Sequence, residues 1–257
     1  MLHIAEGKVV RYTQDVDTVY IPEGVERIDK GAFRGCRFST IVFPSTLKYI
    51  GAFAFERCGI TTLHLPPGVQ MGDAAFRLCP RLVSVTLPVG MTRIPPRAFQ
   101  YCTQLVEIDI PDTVEEVGAE AFLSCDLTYV DLPCWTVGDR AFRNCLHLTG
   151  VSLPNCAYIG AEAFRGCIHL HSVEIPSNAS IGTRAFQSCW RLLHVYFGKH
   201  VALGHYSFSE CTRLQSVNLP RGTVLGKRVF YDCIRLAHVK CHPTVHVPGE
   251  TFDNCKL

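Results

Sequence analysis

The chain has 257 residues, 47% hydrophobic and 19% charged, with a formal net charge of +2. That composition supports a large core and excludes a disordered chain, and so small a charge gives no ground for a nucleic-acid binder. No apolar run reaches the roughly 18 residues of a membrane-spanning helix, and the start "MLHIAEGKVV" has neither the apolar segment nor the small-residue cleavage site of a signal peptide.

In chain order, the first strong signal is "DKGAFRGC" at residues 29–36, because it returns. Its phenylalanine recurs as Phe33, Phe55, Phe76, Phe99, Phe122, Phe142, Phe164, Phe186, Phe208, Phe230 and Phe252, mostly 22 residues apart. Each has a cysteine three residues on, from Cys36 to Cys255. Between these copies runs a second motif, apolar-x-x-apolar-x-apolar-Pro, as in "LVSVTLP" (82–88), "LVEIDIP" (105–111) and "LHSVEIP" (170–176). Its period of two predicts a short strand with one buried face, which proline ends by removing a ladder donor. The apolar spacing of three in A-F-x-x-C predicts a single helical or 3₁₀ turn.

One such unit cannot bury its apolar face alone, but stacked units can. The expectation is a solenoid of about eleven coils with a phenylalanine spine inside. The cysteines then fall in narrow inward corners suited to a small, weakly polar side chain. Neighbouring thiols would point parallel, which is poor geometry for a disulfide, and Cys134, Cys156 and Cys241 lie outside the ladder. Free structural thiols favour a cytoplasmic setting, with a surface setting open if an export signal was removed.

The unit L-x-x-V-x-L-P…I-G-x-x-A-F-x-x-C resembles the BspA-like leucine-rich repeats over residues 16–257. That resemblance implies an α/β repeat fold, a leucine-rich-repeat solenoid with a parallel β-sheet on one face and short helical or 3₁₀ turns on the other. It also implies that Leu2 to Tyr12, within residues 1–15, form an N-terminal capping hairpin. The function it implies is protein or surface-ligand binding, frequently as an adhesin, with no catalytic residues and no cofactor. The chain departs from the regular pattern at "SCDLTYV", which lost one residue before its strand, and at "FDNCKL", where no polar capping unit follows and the chain reads as a fragment or a docking end.

Function then depends on the strand positions that face outward. On two neighbouring strands these are Glu107, Asp109, Tyr129 and Asp131, with Glu174, His194 and Tyr196 extending the row. Tyrosines among carboxylates suit a protein partner. Asp109 and Asp131 occupy equivalent positions, so their side chains are expected about 5 Å apart. Such a pair could splay into water, meet a cation, or act as a glycosidase dyad, although an open sheet excludes water poorly. A second, basic edge comprises Arg81, His147, His169, Arg191, Arg213 and Arg235, suited to an anionic ligand or to local pairing with Asp232 or Glu210. Cys241, His242, His246 and Cys255 are zinc-ligand types without a C-x-x-C pair, so repeat drift explains them better.

Overall fold

The computed structural model describes residues 1–14 and 16–257. It is a stack of short strands linked by turns, coiling once per repeat. Three- and four-residue strands such as Ser84–Thr86, Glu107–Asp109 and Ser172–Ile175 form one side. Two-residue strands such as Arg93–Ile94, Glu116–Val117 and Tyr158–Ile159 form another. Pairing is parallel with a register of one coil, as in Glu107 with Ser84 and Arg93 with Glu116. At the N-terminus Leu2–Ala5 and Lys8–Tyr12 form an antiparallel hairpin, and Lys8–Tyr12 pairs in parallel with Arg27–Ile28.

Alternation places the central apolar residue of most long strands inward and its neighbours outward, as in the buried Val130 between the exposed Tyr129 and Asp131. Most of the longer strands run into a proline, and in several coils its carbonyl closes a tight turn, as in Val25 N to Pro22 O and Val114 N to Pro111 O. The glycine that follows most two-residue strands marks a close backbone approach. A Cβ at Gly182 would lie 2.6 Å from Ala161 N in the coil before.

No helix forms among the described residues, which corrects the expected helical or 3₁₀ turns. From Phe33 to Phe230 the residues two before and two after each phenylalanine of the spine adopt left-handed backbone, for example Arg140 (φ 56°) and Asn144 (φ 59°) around Phe142. Left-handed residues at this spacing interrupt any run of right-handed ones. The backbone N–H groups alternate instead between neighbours. Gly31, Phe33 and Gly35 donate to Ala52, Phe53's successor Ala54, and Glu56 in the next coil, while Ala32, Arg34 and Cys36 close turns within their own.

Inside this corner the eleven phenylalanines form one continuous stack, with adjacent ring centroids from 4.8 Å (Phe33–Phe55) to 5.9 Å (Phe208–Phe230). Offset stacking of this kind adds about 0.5–1.5 kcal/mol per pair beyond burial. Tyr12 of the hairpin covers the first ring at 5.3 Å.

Among the described residues no pair of cysteines forms a disulfide. From Cys58 onward each ladder thiol donates to the carbonyl of the phenylalanine in the coil before, as in Cys145 Sγ to Phe122 O at 3.2 Å. That carbonyl also accepts the backbone N–H of its own coil's cysteine. Burial raises the Cys145 thiol to about 12, so it stays protonated.

Candidate functional site

The strand face places Glu107, Asp109, Tyr129 and Asp131 outward and exposed, and Glu174, His194 and Tyr196 likewise. Tyr129 and Tyr196 are 54% and 57% exposed. Ser172–Ile175 and His194–Phe197 are hydrogen-bonded neighbours, with Glu174 opposite Tyr196. A groove of about 500 Å³ lies on one side of Tyr196, lined by Ser152, Ser172 and Glu174. A second groove, of about 610 Å³, lies on its other side, lined by His194, Asn218, His238 and Lys240.

Asp109 and Asp131 hold equivalent positions in successive coils, but their strands are not laddered to each other. Asp109 pairs with Thr86 and Asp131 with Ser152. Their two strands belong to different sheets. The shortened coil at "SCDLTYV" lies at this break, where Thr128 N reaches Val106 O at 3.4 Å. The two carboxylates therefore do not share a hydrogen-bonded ladder.

The basic edge also differs from expectation. His147 pairs with Asp126, and its ring stacks on His169 at 5.8 Å. Glu210 and Asp232 do not pair with the arginine row. Glu210 accepts from Gln187 Nε2 and Ser188 Oγ, and Asp232 from Asn254 Nδ2. Among the described residues Arg81, Arg191, Arg213 and Arg235 are exposed and make no ion pair within 4.0 Å.

The four zinc-type residues near the C-terminus have other roles. Cys255 donates to Phe230 O and His242 Nδ1 meets Thr244 Oγ1. Among the described residues no group of three or more His, Cys, Asp or Glu is placed to hold a metal ion.

Sequence reasoning missed an ion-pair ladder across the outside of the phenylalanine corner. Glu56, with its side chain 3% exposed, bridges Arg34 at 2.8 Å and Arg77 at 2.7 Å. Arg77 continues to Gln100, and Gln100 to Glu120. Glu120 also meets Arg97, and Arg140 links it to Glu162, which Arg143 and Arg165 complete. Burial pulls the Glu120 and Glu162 carboxyls upward, but hydrogen bonds and charge from these arginines outweigh it and leave both below the ordinary value. The signal lay one residue after and two residues before each phenylalanine, where charges of opposite sign recur about once per coil.

Comparison with known proteins fits this architecture. A leucine-rich repeat protein from Bacteroides ovatus is 20% identical, covers 97% of this chain and 80% of its own, and superposes with a TM-score of 0.71. A leucine rich cell surface protein from Faecalibacterium prausnitzii is 22% identical over 99% of this chain and 92% of its own, with a TM-score of 0.51. The pneumococcal vaccine antigen PcpA is 18% identical over 88% of this chain and 62% of its own, with a TM-score of 0.53. No curated protein matches the sequence. The profile of the BspA type leucine rich repeat region matches residues 8–128, 69–155 and 135–257, in 6 copies, and the chain belongs to that family.

Proposed function

We propose that this protein is a non-enzymatic binding module that takes a protein partner on its strand face. The acidic residues Glu107, Asp109 and Asp131 with Tyr129 supply one part of the site, and Glu174, His194 and Tyr196 the other. The observation that supports this reading is Tyr196, more than half exposed between two grooves. An exposed tyrosine offers a large rigid contact area with a polar tip, which interface cores favour. The open carboxylates argue for recognition over catalysis, because acid–base chemistry works best where water is kept out.

A second reading is a surface adhesin domain that binds a host protein or a carbohydrate. Two similar structures are described as a cell surface protein and a vaccine antigen. Tyrosine faces beside carboxylates also suit a sugar ring and its hydroxyls.

The test is affinity capture from lysate and from a glycan array with wild type and a Tyr129→Ala, Tyr196→Ala double variant of equal Tm. A protein held by wild type and lost by the variant supports the first reading. A glycan lost in the same way supports the second. Equal capture by both proteins overturns the strand-face site.

A further inference from the structure

The edge between the phenylalanine corner and the strand face holds a pattern that the strand-face reading does not use. In five consecutive coils, the residue after the ladder cysteine is Leu146, Ile168, Trp190, Thr212 and Ile234. The next residue is the cationic or protonatable group of the basic edge, one per coil. Leu146, Trp190 and Ile234 are 46%, 51% and 56% exposed, so a large apolar side chain stands out in every second coil. Arg191, Arg213 and Arg235 beside them are exposed and make no ion pair within 4.0 Å among the described residues, while Glu210 accepts from Gln187 and Ser188 and Asp232 from Asn254.

The spacing is specific. Ring separations in these coils run between 5.0 and 5.9 Å, on the edge itself (His147–His169) and in the spine beneath it. In the three coils that carry Arg191, Arg213 and Arg235, one cation therefore recurs at about the 5.4 Å pitch of an α-helix. One large apolar group recurs every two coils, close to the roughly 10.5 Å rise of seven helical residues.

We infer that this edge docks an acidic amphipathic helix of a partner protein, laid along the solenoid axis. Each turn of the helix would set a carboxylate opposite one cation. Each heptad would set one apolar side chain against Leu146, Trp190 or Ile234. Trp and Arg are the side chains that dominate interface energies, and complementary charge selects the partner and orients it. A bilayer surface or a flexible polyanion has no repeat that the two-coil alternation would match. The inference is independent of the strand-face site.

The probe is a synthetic three-heptad peptide with one leucine per heptad flanked by glutamates, labelled for fluorescence anisotropy and titrated with the full chain. Saturable binding is expected. It should weaken at least about tenfold in an Arg191→Glu, Arg213→Glu variant and in Trp190→Ala, each with Tm matched to wild type. A peptide of the same composition in scrambled order should bind at least about tenfold more weakly. Equal binding of the scrambled peptide would overturn the helix and leave only charge attraction. Absence of saturable binding would overturn it too, as would binding to phosphatidylserine vesicles in place of the peptide.

Discussion

At the phenylalanine corner the same two side chains return in all eleven coils, whereas on the strand face no two adjacent coils present the same outward pair. Thr18 and Tyr20 give way to Thr40 and Val42, then to Thr62 and His64, and later to Glu107 and Asp109. The corner repeats because every coil must fit the one before it. Its phenylalanine stacks on a phenylalanine, its thiol reaches a phenylalanine carbonyl, and its glycine passes a backbone with no room for a Cβ. The strand face meets only solvent or a partner, so packing imposes no repeat on it. The packed corner and the proposed binding face are thus different parts of one coil, and substitutions can separate them.

The largest effect is expected inside. Phe164→Ala removes a fully buried ring from the middle of the stack and should cost about 3–5 kcal/mol in denaturant unfolding. Gly182→Ala forces a methyl to within 2.6 Å of Ala161 N. It should cost about 1–3 kcal/mol, as other overpacked sites do. Glu56→Gln breaks two ion pairs of the outer ladder and should cost about 1–2 kcal/mol by the same measurement.

A smaller, pH-dependent effect belongs to Glu120 and Glu162. Their pKa values lie lower in the folded chain than the ordinary value of 4.5. Their contribution to stability is therefore present above that value and is lost as pH falls through the folded pKa. Tm measured from pH 7 down to pH 3 should fall, and Glu162→Gln should flatten the decline below pH 4.5. The smallest effect on stability is expected on the strand face. Charge reversal of the exposed Glu107, Asp109 and Asp131 should change unfolding free energy by no more than about 0.5 kcal/mol.

The same contrast explains what the sequence reveals. The strands and the spine are legible because a buried position shared by every coil writes its residue type at a fixed spacing. The turn geometry is not legible. A spacing of three between alanine-phenylalanine and cysteine suits a helical turn as well as paired β-turns. The left-handed positions that decide between them are filled by Arg57, Glu120 and Tyr206 as readily as by Gly35. The ion-pair ladder escapes notice because Arg77 and Glu56 are neighbours only across coils. That the strands of Asp109 and Asp131 fall in different sheets appears only once the coils are stacked. Candidate partner residues are legible as exposed positions, since alternation fixes which side chains face out, but exposure alone names no ligand.

The central claim is that recognition sits on the non-repeating strand face and stability in the repeating corner. It is tested most directly by measuring Tm and partner capture together for the Glu107→Lys, Asp109→Lys, Asp131→Lys triple variant. The account predicts an unchanged Tm and loss of the partner that wild type retains. Full capture at an unchanged Tm would contradict it and remove the acidic strand face from the binding site.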